Sequence, residues 1–184
     1  MKKKFNPRIK ARLRKNRQVL SKNIDNFFGW VKGAKLVELK ECNIEEDPVR
    51  PELDNNFRTG YGRKIYGVEY LGEIHAVMCF AYTNKVPKSV DELEKLSTDA
   101  FLQTAMRDQS GGQIAIAYTV WSKKKGGGKL IVKEVFKKIK KSNHLNRLVT
   151  LSPLTDMATK FHERNGANLI QINETTQNFE YKVL

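Results

Sequence analysis

The sequence predicts an α/β fold, a central mixed β-sheet flanked by helices, in a single domain of residues 24–184 preceded by a basic arm of residues 1–23. Three observations carry that prediction. Strand-like and helix-like hydrophobic patterns alternate along the chain behind a hairpin. At 184 residues and 40% apolar content, there is enough chain for one enclosed core with a ligand cleft. Three consecutive glycines, Gly126–Gly128, stand where an apolar strand gives way to a basic amphipathic helix. That layout lets backbone N–H groups and a helix N-terminus cradle an anion.

Taken in order, KLVELKE over 35–41 alternates as a strand, and 44–62, with Pro48, Pro51 and Asn55-Asn56, reads as a long loop. Segments 64–70 and 73–82 are strands joined through Leu71-Gly72. Ser89-x-x-Glu92 is a capping box that starts a helix over 88–96. The second half continues as strand 113–121, helix 130–141, strand 147–151, helix 154–164 closed by Gly166, and strands 169–173 and 179–184. Two βαβ crossovers follow, from strand 113–121 to 147–151 and from there to 169–173. In such sheets ligands lie beyond the carboxyl ends of the strands, where the glycine turn and Ser152-Pro153 both fall.

Charge is concentrated. Residues 1–23 carry ten Lys/Arg and no acid, and 123–141 carry nine against Glu134, so segments of +10 and +8 within a total of +14 leave the remainder at −4. A uniformly cationic nucleic-acid binder would spread this charge, although the arm alone, a short helix with Phe5, Ile9 and Leu13 on one side, suits a nucleic acid, an acidic partner or plain solvent. No apolar run reaches membrane length, and no secretory signal is present, so a cytoplasmic protein is expected. Cys42 and Cys79 form no CxxC, disulfide framework or metal-ligand cluster, and read as reduced thiols. No metal is expected.

Lys123-x-x-Gly126-x-Gly128 resembles the (Gln/Arg)-x-x-Gly-x-(Gly/Ala) signature of GNAT-fold acyltransferases, with Lys in place of Gln or Arg. The later Ala158-x-x-Phe161-His162-Glu163-x-x-Gly166 resembles a second segment of that superfamily, in which most acetyltransferases carry a Tyr general acid at the place of His162. Four segments are more similar to the catalytic domain of malonyl-CoA decarboxylases: Cys79 to Leu93, Gly128 to Val135, Val149-Thr-Leu-Ser152-Pro153, and FHxxNGAxLxxIN from Phe161 to Asn173. The resemblance implies a GNAT-like fold that binds malonyl-CoA or acetyl-CoA. It implies Ser152 and His162 as the catalytic pair, and cofactor contacts at Tyr118, Val120, Lys123, Lys125, Gly126, Gly127, Gly128, Lys129 and Asn165. The chain departs from those decarboxylases in having glycines where they keep a Glu, and in separating Ser152 from His162 by nine residues where they insert a long helical segment.

The residue types suit the chemistry. Loss of CO2 from a malonyl thioester leaves an enolate, which needs N–H donors at the thioester oxygen and an acid for the new carbanion. A His donates near neutral pH, and a Ser hydroxyl orients it or relays its proton. Each residue also has a plain structural role available. Ser152-Pro153 can be a helix N-cap and first position, His162 a packed core histidine, Asn165-Gly166 a helix end, and Lys123–Lys125 a solvated turn. Acyl transfer from acetyl-CoA to an amine is the alternative enzyme, and it needs a base such as Asp108. A non-catalytic module that binds nucleic acid through its arm is the alternative outside enzymes.

Overall fold

A computed structural model describes residues 12, 15, 29–30, 32–107 and 112–182. The chain divides into two units, Met1–Ala34 and Lys35–Leu184. In the first, Arg12 and Lys15 are helical and exposed, while the rest of the predicted basic helix over 1–23 lies outside the described residues, as does Asp108. No helix among the described residues is long and apolar enough to cross a membrane.

The second unit is one eight-stranded sheet with helices on both faces. The strands are β1 Lys35–Leu39, β2 Lys64–Tyr70, β3 Glu73–Thr83, β4 Ile114–Ser122, β5 Arg147–Thr150, β6 Ser152–Pro153, β7 Ala167–Ile172 and β8 Thr176–Tyr181. The helices are α1 Asn55–Thr59, α2 Val90–Arg107, α3 Gly127–Lys140 and α4 Asp156–Arg164. Spatial order is β1-β2-β3-β4-β5-β8-β6, with β7 paired to β8. Among the described residues only β4 and β5 run parallel, and every other pairing is antiparallel.

Local chemistry accounts for most boundaries. Leu71 and Gly72 both take positive φ, 53° and 82°, the two-residue turn whose twist matches its strands. At the start of α2 the Glu92 N–H donates to Ser89 Oγ at 3.1 Å, as the capping box predicts, while the Glu92 carboxylate accepts from the Lys88 N–H at 2.7 Å, one residue before the N–H that the box would use. The expected loop over 44–62 holds a short helix, α1, capped by Asp54 through the Phe57 N–H at 2.7 Å. Its Asx cap was readable; its single turn carries too little periodicity to mark a helix.

Three further expectations change. The helix expected over 88–96 starts at Val90 and runs on to Arg107. The helix after Ser152 begins at Asp156 with Thr155 as N-cap, so Ser152-Pro153 is a short strand paired to β8 and not a helix start. The second crossover does not bring β7 beside β5, because β8, three residues earlier than predicted and antiparallel to both, inserts between them.

One sheet face packs Ile65, Val77, Cys79, Ala81, Ile116 and Val149 beneath Leu53 and Leu93. The other is covered by α3, whose Leu130, Ile131, Val135 and Ile139 recur at helical spacing and are buried. Beneath the 43–54 segment lies a buried ion pair, Arg58–Asp47, at 2.9 Å with both side chains fully enclosed. Arg58 also donates to the carbonyls of Leu53 and Arg50 at 2.9 and 2.7 Å and to Cys79 Sγ at 3.4 Å. Asp47 accepts from Thr119 Oγ1 at 2.8 Å and from the Val49 N–H at 2.8 Å. The two cysteines, distant in sequence, meet here: Cys79 hydrogen-bonds Cys42 and pulls its thiol down, while burial pushes Cys79 up.

Removing one member of such a pair strands the other charge in the core. Arg58→Met is expected to lower unfolding stability by about 3–5 kcal/mol, with partial recovery in Arg58→Met/Asp47→Asn. Urea unfolding midpoints check both; equal stability in wild type and Arg58→Met would remove the pair from the account of the fold.

Candidate active site

The site begins with a failure of pairing. Parallel register between β4 and β5 runs from Ile114↔Arg147 to Ala117↔Thr150 and ends with the Leu151 N–H on the Ala117 carbonyl at 2.9 Å. Across β4 from this point the register with β3 slips, Cys79 opposing Thr119 and Phe80 opposing Ala117, which leaves Tyr118 as a bulged residue. Beyond it β4 continues while β5 turns away into β6. The opened edge is filled by a cavity of about 370 Å³ lined from both sheet faces, by Met78, Val120 and Val132 on one side and Pro48, Val49 and Thr119 on the other.

Ser152 and His162 face each other in this cavity. Ser152 Oγ lies 2.7 Å from His162 Nε2, and each residue is only 5% exposed. The pair meets because β6 and α4 both pack on β8: Ser152 pairs with Gln177 in register, and the His162 ring stacks on Phe179 at 5.0 Å between centroids. His162 Nδ1 is 2.9 Å from Tyr181 Oη, and Ser152 Oγ donates to Thr150 Oγ1 at 3.1 Å. Burial pushes His162 down to about 4, and with no carboxylate against the ring the imidazole is neutral at pH 7. The sequence-based expectation of a histidine that protonates readily near neutral pH therefore gives way to a neutral hydrogen-bonded ring.

The glycine turn lies beside the cavity mouth. Gly126 takes φ 85° as the N-cap of α3, which thus starts inside the glycines, three residues before its predicted first residue. A Cβ on Gly127 would sit 2.9 Å from Ser122 Cβ, and one on Gly128 3.0 Å from the Phe161 ring. The helix therefore approaches β4 and α4 as closely as backbone allows; the Gly127 N–H donates to the Lys124 carbonyl at 2.9 Å, and the next N–H groups, at Gly128 and Lys129, are the ones a helix start leaves without intrahelical acceptors. Next to the cavity, and sharing Ser122, Gly128, Met157 and Phe161 with it, an open groove of about 830 Å³ runs between α3 and α4, with Lys129, Lys160 and Arg164 along it.

Most of the predicted site residues come together here. Tyr118, Val120, Lys123, Gly128, Ser152 and His162 line the cavity; Gly126, Gly128, Lys129 and Asn165 line the groove. Gly127 is buried under the turn and Lys125 borders neither space, so Gly127 serves by close packing. Lys123 is paired with Glu46 at 2.7 Å, and Asn165 Nδ2 also closes α4 through the Phe161 carbonyl at 2.8 Å. Sequence reasoning missed Thr150, although it lies inside the Val149–Pro153 segment, and it missed Tyr181 and Glu46, which no local motif marks, since they reach the site only through the register of β8 and the fold of the 43–54 segment. A second cavity of about 610 Å³ between α2 and α3 has aromatic walls and holds none of the predicted residues.

Below pH 6.5 the unfolded chain takes a proton on this ring that the folded chain refuses until about pH 4, so the contribution is full above that window and is lost as pH falls through it. Its span is up to about 3 kcal/mol. Thermal melts from pH 7 to 4 are expected to fall less steeply in His162→Gln than in wild type; identical slopes would contradict the burial effect. Gly127→Ala is expected to lower the melting temperature despite alanine's advantage of about 1 kcal/mol in helices, because of the Ser122 contact.

No protein-family model and no curated protein matches the sequence. Solved structures do match. The GNAT-like decarboxylase GphF, in complex with isobutyryl-CoA, superposes with a TM-score of 0.62 at 10% identity, over 82% of this chain and 100% of that one. The loading GNATL domain of CurA from Lyngbya majuscula follows at 0.58 and 12% identity, over 82% and 98%. A Bacillus subtilis acetyltransferase in complex with CoA matches at 0.55 and 13% identity, over 82% and 99%. A mixed sheet that splays at its one parallel pair, with a glycine turn at the opening and these structures superposed along it, identifies the fold: this chain has the GNAT fold.

Proposed function

We propose that this protein is an acyl-CoA enzyme that decarboxylates malonyl-CoA to acetyl-CoA and CO2. The observation that carries the reading is the Ser152–His162 contact at 2.7 Å inside a largely apolar cavity at the sheet opening. The glycine turn supplies room and amides for the pyrophosphate of CoA, and Lys129 lies along the groove that leads from it. The thioester enters the opening between β4 and β5, where backbone of β4 near Tyr118 and Val120 has lost its β5 partner and can donate to the thioester oxygen.

The cavity suits the loss of a carboxylate more than its retention. Among the described lining residues Lys123 is the one cation, and Glu46 already neutralises it. A malonyl carboxylate surrounded by Met78, Val132, Leu148 and Trp121 has no compensating charge, whereas CO2 carries none. The enolate left behind delocalises onto the thioester oxygen and takes its proton at carbon from the Ser152 hydroxyl.

Acyl transfer to an amine is the second reading, and Glu46 favours it as a carboxylate at the cavity mouth able to take an amine proton through water. The two are separated by assaying CO2 and free CoA. With malonyl-CoA, wild type is expected to release CO2 with no acceptor present, and Ser152→Ala and His162→Ala to reduce kcat by roughly 100-fold or more. Acceptor-dependent release of free CoA from acetyl-CoA, without CO2 from malonyl-CoA, would replace decarboxylation by transfer.

A further inference from the structure

Tyr181 stands at the far side of His162 from Ser152, on β8, with its hydroxyl 2.9 Å from Nδ1 and its ring edge-on to the imidazole at 6.1 Å. In serine nucleophile triads a carboxylate occupies this place, accepts a hydrogen bond from Nδ1–H and so leaves Nε2 bare to strip the serine. Here a phenol occupies it. We propose that Tyr181 locks His162 in the Nε2–H tautomer, so that the Ser152–His162 pair hands a proton to the substrate and cannot activate Ser152 as a nucleophile.

Hydrogen-bond accounting leads to this tautomer. Tyr181 is 5% exposed, and burial raises its phenol so that the O–H stays protonated. Among the described residues the acceptor in reach of that O–H is His162 Nδ1. Nδ1 accepts only if it carries no proton, and a neutral ring then carries its proton on Nε2. Nε2–H donates to Ser152 Oγ at 2.7 Å, which turns the serine proton away from the imidazole and toward Thr150 Oγ1 at 3.1 Å. Thr150 is held in turn by the Phe179 N–H on its Oγ1 at 3.1 Å and by Asn178 Nδ2 on its carbonyl at 2.8 Å. Every hydrogen bond therefore runs in one direction, from Tyr181 through His162 to Ser152.

The polarity also explains how a ring that is neutral at pH 7 serves an acid step. As the bond from the α-carbon to the carboxylate breaks and CO2 leaves, the electron pair remains as an enolate. Ser152 gives its proton to the α-carbon, His162 Nε2–H passes to Ser152 Oγ, and the Tyr181 proton passes to Nδ1. The negative charge ends on the Tyr181 oxygen and is cancelled by a proton from solvent after the product departs. Tyr181 is a positioning residue in this scheme, since it reaches substrate only through His162 and Ser152.

The step depends on the decarboxylase reading, but the tautomer does not, and the experiment separates them. Protein labelled with 15N in its histidine rings, at pH 7 and without substrate, is expected to give for His162 a protonated Nε2 and a bare Nδ1, assigned by loss of the signals in His162→Gln. A protonated Nδ1, or a ring protonated on both nitrogens, overturns the proposal whatever the activity. Folded Tyr181→Phe is expected to show mixed tautomers and, with malonyl-CoA, a kcat lower by roughly 10- to 100-fold, with KM within about twofold. An unchanged spectrum and kcat in that variant also overturns it. If wild type releases no CO2, the reaction assignment fails while the spectrum still decides the tautomer.

Discussion

The separation of β5 from β4 after Ala117 and Thr150 is the constraint on which the rest of the structure depends. Backbone groups released from a parallel ladder in a protein interior must find partners or face a ligand, because leaving them dry and unpaired costs more than the ladder gained. The chain answers in two ways. Leu151 and β6 close the departing side, on the Ala117 carbonyl and on β8. On the remaining side the bulge at Tyr118 re-aims β4 and the edge is left open to the cavity.

An opening of this kind weakens the centre of a sheet, and the polar cluster under the 43–54 segment braces it. Asp47 binds Thr119 one residue past the bulge, and Arg58 ties Asp47 to Cys79, the β3 residue opposite Thr119. A charged pair is costly to enclose, and Arg58 meets the cost by donating to two carbonyls and a thiol as well as the carboxylate. The same segment places Glu46, Pro48 and Val49 on the cavity wall, so bracing and shaping are done by one stretch of chain.

The fold class and the paired strands were legible because they rest on local signals: the Leu71-Gly72 turn, the Ser89–Glu92 box, the alternation along β2 to β4. The glycine turn and the Ser152 and His162 positions were legible because motifs mark them. What sequence could not display was register. Tyr181 sits in a strand that the pattern placed three residues late, and nothing in Asn-Phe-Glu-Tyr announces that its hydroxyl meets a histidine. Ser152 looked equally suited to cap a helix, and only the cap at Thr155 shows that its side chain is free for His162. The histidine's electrostatics were similarly hidden, since they follow from enclosure by Phe161, Phe179 and Tyr181 and from the absence of a carboxylate among those contacts.

The glycines at the start of α3 have one more consequence. A cradle made only of amides has no titrating group and no rotamers, so the geometry it offers an anion does not vary with acidity and costs no side-chain ordering when filled. The lysines beside it behave oppositely: Lys123 is held by Glu46 and Lys124 lies over the Tyr70 ring, and the pull of such surface charges fades with added salt. On the proposed reading, position and attraction are divided between backbone and side chains: the glycines would set where a phosphate rests, and the lysines how often one arrives.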